Sequence, residues 1–185
     1  MTRKLRWTLL GLALGAAGCC GGRMTTTPPT NPRPTTSPID SPRAMPVVDA
    51  LVDPPAGWRA DPLRVDVQHA HAVWVSPTGD TAYGVILMNL PLPVGPEMVL
   101  WGFLHRLREV DRRGELHLKV DAPDLPGLRF VAQSGQYLLR VNLTVRGWHA
   151  WAVYAGSRNS RPVNPFELEL AQRARDHTRV ALTGD

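Results

Sequence analysis

The sequence predicts an α+β protein in which a single domain contains an antiparallel sheet flanked by helices. Three observations carry this prediction. Strand-like alternation of apolar and polar residues recurs along the chain, turn signatures separate neighbouring strand segments, and two segments repeat apolar residues at helical spacing. The region from residue 47 onward carries these patterns and has an ordinary length for one domain.

The N-terminus precedes every predicted strand and has the features of an export signal. Arg3, Lys4 and Arg6 lead into the apolar run WTLLGLALGAA. This run is too short to cross a bilayer, because a spanning helix needs about 20 apolar residues. A basic start, a short apolar stretch and small residues at its end are typical of a secretory signal peptide.

Two adjacent cysteines follow this run, and no other cysteine occurs in the chain. The residues Ala16, Ala17 and Gly18 before Cys19 resemble the lipobox of bacterial lipoproteins, although that motif more often has leucine where Ala16 stands. The resemblance implies that residues 1–18 are a cleaved signal peptide and that Cys19 carries the lipid. We therefore expect a membrane-anchored lipoprotein of the bacterial cell envelope on the extracytoplasmic side. The alternative is an ordinary signal peptide with an incidental cysteine pair.

Residues 19–46 follow as the acylated cysteine and a threonine- and proline-rich tether. The stretch GGRMTTTPPTNPRPTTSPIDSPRAMP has too few large apolar residues to offset the entropy of ordering it. Proline-rich sequence favours extended polyproline II, which rises about 3.1 Å per residue. The sequence therefore predicts a flexible tether that separates the membrane from a domain at residues 47–185.

The charge distribution argues against nucleic acid as a partner. Six of the 21 basic residues and one of the 16 acidic residues precede Pro46, so the predicted domain carries equal numbers of each. Arg112 and Arg113 are the only adjacent basic pair in it. A nucleic-acid-binding face needs clustered excess positive charge, and we therefore expect none.

The predicted strands begin with LRVDV, in which Leu63, Val65 and Val67 alternate as one half-buried face. HAHAVWV and TAYGVILMNL then flank the turn signature SPTGD, which predicts a β-hairpin. After ELHLKV, the segments LRFVAQ, QYLLRVNLTVRG and WHAWAVYAG are separated by short glycine turns. This spacing predicts a meander of adjacent antiparallel strands.

Two helices are predicted by their first residues and by apolar periodicity. The first begins at Pro96, with Leu100, Phe103 and Leu104 recurring at helical spacing. The second begins after Asn164, where Pro165 suits the first helical position and Glu167 is placed for a capping box.

This order of elements resembles the PsbP-like fold, an antiparallel sheet between helices. Extrinsic photosystem II subunits and a Ran-binding nuclear import factor share that fold. The likeness is carried by PPAGWRAD before the first strand, by the hairpin around SPTGDTAYG, and by GQYLLRVNLTVRGWHAWAVYAG before the last helix. The resemblance implies a mostly non-catalytic role as assembly factor, subunit or adaptor, and none of the family's metal ligands can be matched in this chain. A cystatin-like or NTF2-like curved sheet around a helix also fits these elements.

The motifs of common enzyme classes are missing from the sequence, which contains no G-x-S-x-G, no G-x-G-x-x-G and no Walker loop. His69 and His71 are the sharpest local feature, because residues i and i+2 of a strand point to one face and both imidazoles could approach one metal. His149 is the candidate third ligand. The alternative is that His69 and His71 are surface histidines opposite Ala70 and Ala72.

The tryptophans are the candidate contacts for a partner. Trp101 lies in the first predicted helix, and Trp148 and Trp151 lie three residues apart in a strand, so they face opposite ways. Large aromatic side chains dominate core packing and also anchor protein interfaces. We expect one of the strand pair to be buried and the other to be available for a partner.

These observations together predict a lipid-anchored extracytoplasmic binding or adaptor module without catalytic activity and without a cofactor. Its expected partners are the membrane, through the N-terminal lipid, and an envelope protein. The alternative is a small-molecule or divalent-metal-binding envelope protein that uses His69 and His71. An envelope hydrolase is a third class, for which the sequence offers no catalytic constellation.

Overall fold

A computed structural model describes residues 42–110, 117–120, 127–133, 136–159 and 162–181 of the chain. The described part is mixed α+β, with two helices and mostly antiparallel sheets, in agreement with the predicted fold class. The predicted signal peptide, Cys19 and most of the predicted tether lie outside the described residues.

Strands make up most of the described elements. The strands before the first helix are β1 (Arg43–Met45), β2 (Ala50–Val52), β3 (Arg59–Ala60), β4 (Arg64–Val65), β5 (His69–Val75) and β6 (Thr81–Asn89), with a short 3₁₀ helix at Pro46–Val48 between β1 and β2. Helix α1 (Pro96–Val110) is followed by β7 (His117–Val120), β8 (Gly127–Gln133), β9 (Tyr137–Arg146) and β10 (His149–Arg158), and then by α2 (Pro165–His177) and β11 (Arg179–Val180).

The larger sheet has the strand order β3-β5-β6-β10-β9-β8-β7, with β4 also paired to β5. Every pairing in it is antiparallel. The predicted meander is confirmed as β8, β9 and β10, which pair in sequence order. A smaller sheet of order β1-β2-β11 joins the two ends of the described chain, and its β1 occupies residues that the sequence assigns to the end of the tether.

The predicted hairpin between β5 and β6 is confirmed. Ser76 and Thr81 close its turn through a backbone hydrogen bond of 2.9 Å, and Gly79 supplies the positive φ of 79° that the turn requires. Gly147, with φ 52°, does the same between β9 and β10. The predicted turn at Ser134 and Gly135 lies outside the described residues.

The two helices cover opposite faces of the larger sheet. Leu100 and Leu104 of α1 are buried against β8 and β9, as the periodicity predicts, and Phe103 meets Phe130 edge to face at 5.7 Å. Helix α2 packs on β6 and β10, with Ala171 and Ala174 buried in a separate cluster. Because paired residues of adjacent strands share a face, we call the two sides of the sheet the α1 face and the α2 face.

The start of α2 differs in one respect from the predicted capping box. The Asn164 side chain accepts hydrogen bonds from the backbone N–H groups of Phe166 and Glu167, so Asn164 caps the helix as expected. The Glu167 carboxylate, however, is buried and accepts a 2.6 Å hydrogen bond from the Thr78 hydroxyl in the β5–β6 turn. A tertiary contact therefore takes the place of the local one and ties α2 to the hairpin.

The predicted half-buried strand LRVDV forms only in part. Strand β4 is two residues long, and Leu63, Val65 and Val67 are exposed. Only Arg64 and Val65 of this segment pair with β5, which they do at the margin of the larger sheet. The alternation in LRVDV therefore does not correspond to a buried face.

Candidate functional site

His69 and His71 lie side by side on the α1 face of β5, as the two-residue spacing predicts. Both are buried, with relative exposures of 4% and 2%, and the strand is buried along its whole length. They are therefore not surface histidines. The two faces of β5 are covered by different elements, because Ala70, Ala72 and Trp74 are buried in one cluster with Val48 and residues of α2, whereas His71 on the other face contacts the buried Tyr154.

The His71 imidazole is hydrogen-bonded to a tyrosine from across the sheet. Its Nε2 atom lies 2.8 Å from the hydroxyl of Tyr154, a fully buried residue of β10. Between these two strands runs β6, where Gly84 pairs with Tyr154. A Cβ atom on Gly84 would lie 2.5 Å from the Tyr154 ring, so the missing side chain is what lets the tyrosine lie across β6.

Burial keeps this pair uncharged. It lowers the pKa of His71 from 6.5 to about 3, with smaller contributions from the charges of Arg64 and His69. Burial also raises the pKa of Tyr154. The contact is therefore a hydrogen bond between two neutral groups, which stabilises the fold and offers no charged group for chemistry at neutral pH.

The Nδ1 atom of His69 lies 2.8 Å from the Asp66 carboxylate, although the two groups do not have the geometry of a hydrogen bond. The same carboxylate accepts hydrogen bonds from the backbone N–H groups of Gln68 and His69, both 2.8 Å long. His71 is thus hydrogen-bonded within the fold through Nε2, and His69 is held beside the Asp66 carboxylate. Among the described residues there is no group of three or more histidine, cysteine, aspartate or glutamate side chains placed to hold a metal ion.

The structure places His149 away from this pair. It is paired with Asn89 of β6, whereas His69 is aligned with the neighbouring residue Met88. Successive residues of a strand alternate between faces, so His149 lies on the α2 face and His69 and His71 lie on the α1 face. The three histidines therefore cannot meet at one metal ion.

His149 instead lines a pocket on the α2 face, at the end of the sheet where β9 turns into β10. The pocket has a volume of about 190 Å³. Its polar lining consists of Asp49, Arg146 and His149. Apolar groups complete the wall, namely Pro46, Leu87, Trp151 and Ala181.

The backbone of this wall is held in an uncommon conformation. Asp49 and Ala181, with φ of 45° and 60°, are the only non-glycine residues with positive φ in the described ranges, and both line the pocket. They are joined by a 2.8 Å hydrogen bond from the Ala181 N–H to the Asp49 carbonyl. Such residues cost of order 1–3 kcal/mol each and cluster at functional sites.

The three candidate tryptophans have different surroundings. Trp151 is 3% exposed, and its indole N–H donates a 3.1 Å hydrogen bond to the carbonyl of Val48 in the 3₁₀ helix. Trp148, in the turn before β10, is 55% exposed, and Trp101 on α1 is 72% exposed. The prediction that Trp148 lies in the strand with Trp151 is wrong, because β10 begins at His149, but the expected difference in burial between the two is observed.

Sequence reasoning missed Tyr154, Gly84 and the pocket residues Asp49 and Arg146. For Arg146 the sequence does contain a signal. The segment RVNLTVR alternates polar and apolar residues strictly, which places Arg146 on the polar side of β9. No local pattern indicates Tyr154, whose partner His71 is distant in sequence. The contact becomes visible only with the register of β5, β6 and β10.

The chain matches no protein-family model, and its comparison with curated proteins finds no relative. Neither helix of the described residues has the length and apolar character needed to cross a membrane. The candidate lipidation residue, Cys19, lies outside the described residues.

Proposed function

We propose that the protein is a non-catalytic binding or adaptor module, anchored through lipid on Cys19 to a membrane of the bacterial cell envelope and facing the extracytoplasmic side. The observation that carries the proposal is the exposure of two indoles, Trp101 and Trp148, outside the buried clusters of the described residues. The lipobox-like residues before Cys19 support the anchor.

The two tryptophans belong to neighbouring segments. The backbone N–H of Leu90 donates a 2.8 Å hydrogen bond to the carbonyl of Trp148, which ties the β9–β10 turn to the segment that enters α1. Leu92 in that segment and Met98 on α1 are also exposed. We call Leu92, Met98, Trp101 and Trp148 the apolar rim.

An apolar rim of this composition suits a protein partner. Exposed large apolar side chains that occur together mark interaction sites more often than isolated ones do. Tryptophan is enriched among the few interface residues that carry most of the binding energy. Helix α1 buries Leu100 and Leu104 on its inner side and presents Met98 and Trp101 outward, so the rim can contact a partner without disturbing the core.

We also propose that the domain is a PsbP-like sandwich. Support comes from the helices on opposite faces of one antiparallel sheet and from the order hairpin, helix, meander, helix. The smaller sheet formed by β1, β2 and β11 is an addition on the α2 face, where Ala50 and Val52 are buried in one cluster with α2.

The test is site-specific crosslinking in intact cells that express the full chain. A photo-crosslinking amino acid at position 98 is compared with the same group at Glu169, an exposed position on α2. We expect a defined envelope protein to be crosslinked from position 98 and not from position 169. Crosslinking should fall at least tenfold in Trp101→Ala or Trp148→Ala and in the unanchored Cys19→Ala chain.

Phe166→Ala is the matched control, because Phe166 is an exposed aromatic residue of α2 on the opposite face. It should leave crosslinking from position 98 unchanged. Equal crosslinking from positions 98 and 169, or full crosslinking in Trp101→Ala, would contradict the assignment of the rim. Mass spectrometry of Cys19 tests the lipid directly.

A further inference from the structure

We propose that the pocket at the end of the α2 face binds a small zwitterion of the α-amino-acid type, a site and ligand distinct from the apolar rim. The pocket is lined by a basic residue, an acidic residue and a histidine, namely Arg146, Asp49 and His149, together with the largely buried Trp151. The charge, the size and the rigidity of this wall each favour such a ligand.

The charges of the wall select a ligand with both signs. Arg146 offers a planar guanidinium that binds a carboxylate through two parallel hydrogen bonds. Asp49 places a carboxylate in the same wall, which attracts an ammonium group and repels a purely anionic ligand. A ligand that carries only a positive charge would be repelled by the Arg146 guanidinium. A molecule that carries one carboxylate and one ammonium group complements both residues.

The size and remaining lining of the pocket suit a short side chain. Its volume of about 190 Å³ corresponds to roughly six water molecules at about 30 Å³ each, which is the size of a small amino acid. Leu87, Pro46 and Trp151 supply an apolar wall. The Trp151 N–H is already bonded to the Val48 carbonyl, so it is not available as a donor to the ligand.

The wall is ordered by contacts within the fold. Val48 is fully buried, and the Asp49 N–H donates a 3.1 Å hydrogen bond to the Pro46 carbonyl. The Asp49 carbonyl in turn accepts from Ala181, which places Asp49 between the 3₁₀ helix and β11. When the side chains and loops of a site are already ordered, binding does not incur the entropic cost of ordering them, and the affinity for a small ligand is higher.

The experiment is isothermal titration calorimetry of the full chain in detergent with L-alanine, L-serine and L-valine. Isovalerate and isobutylamine are the analogues of L-valine that keep only one of its two charged groups. We expect heat from at least one amino acid, and for L-valine an affinity at least tenfold higher than for either analogue. No heat from any of the three, or equal binding of isovalerate and L-valine, would overturn the proposal.

Two variants and one control assign the binding to this pocket. Arg146→Gln and Asp49→Asn should each weaken binding at least tenfold. Asparagine tolerates the left-handed conformation of Asp49, so the second variant keeps the backbone. Arg173→Gln, in an exposed ion pair of α2, should bind as the native chain does. Unchanged affinity in both pocket variants would overturn the assignment, whatever crosslinking shows at the apolar rim.

Discussion

The contact between Gly84 and Tyr154 gives a sharp test of the structure. In Gly84→Ala the new Cβ atom would lie 2.5 Å from Cζ and Oη of the Tyr154 ring and 2.7 Å from Cε1. Ordinary van der Waals contact between carbon atoms needs about 3.5–4.0 Å. The ring is fully buried and bonded to His71, so it cannot move away without breaking that hydrogen bond.

The expected cost follows from this overlap. Forcing an extra methyl group into a well-packed core costs typically about 1–3 kcal/mol, and a clash with a fully buried aromatic ring belongs at the upper end. In a domain of this size, 1 kcal/mol lowers Tm by roughly 3–5 °C. We therefore expect the Tm of Gly84→Ala to be about 10 °C below that of the native chain.

The assay is thermal unfolding followed by circular dichroism, with Gly102→Ala as the matched control. Gly102 is exposed in the middle of α1, and a Cβ atom added to it would have nothing within 4 Å. Alanine there should stabilise the helix by up to about 1 kcal/mol. Replacing glycine by alanine should therefore lower the stability of the chain at position 84 and raise it at position 102. A Gly84→Ala chain as stable as the native one would refute the placement of Tyr154 across β6.

Three further predictions concern buried polar groups. Because burial lowers the pKa of His71 from 6.5 to about 3, the unfolded chain binds a proton between these pH values that the folded chain does not bind. The free energy of unfolding should therefore fall as the pH drops from 6.5 toward 3, by at most about 1.4 kcal/mol per pH unit. Urea unfolding at several pH values should show this slope, and His71→Gln should flatten it. Thr78→Val removes the donor to the buried Glu167 carboxylate and should cost about 1.5–3 kcal/mol in urea unfolding, whereas no measurable cost would contradict that contact. Trp151→Phe leaves the Val48 carbonyl without its indole donor and should cost about 1–3 kcal/mol, with weaker L-valine binding in the same preparation.

Local signals in the sequence are sufficient for the helix starts and for the main hairpin. Pro96 and Asn164 mark the helix beginnings because proline at the first position and an asparagine cap act within one turn. The turn at Gly79 is equally local, since its positive φ is a property of that residue. Such features depend on neighbours in sequence, and periodicity and turn chemistry describe those neighbours.

Features that depend on sheet register are not predictable in this way. The spacing from Asn164 predicts a capping box at Glu167, but this carboxylate accepts a hydrogen bond from Thr78, which the packing of α2 on the sheet brings to it. Alternation correctly places His69 and His71 on one face, but it does not reveal that both faces of β5 are covered. That outcome depends on the 3₁₀ helix and α2 on one face and on Tyr154 on the other, which alternation within β5 cannot describe.

Trp151 connects the fold of the domain with the proposed ligand site. Trp151 is a lining residue of the pocket, and its N–H binds the 3₁₀ helix through the Val48 carbonyl. That helix directly follows β1, so the segment that leads from the predicted tether into the domain also supplies Pro46 and Asp49 to the pocket wall. A ligand in the pocket would contact the entering chain, β10 and the residue after β11 together. Binding of L-valine should therefore raise the thermal stability of the native chain and should fail to raise that of Asp49→Asn, which keeps the fold and loses the charge.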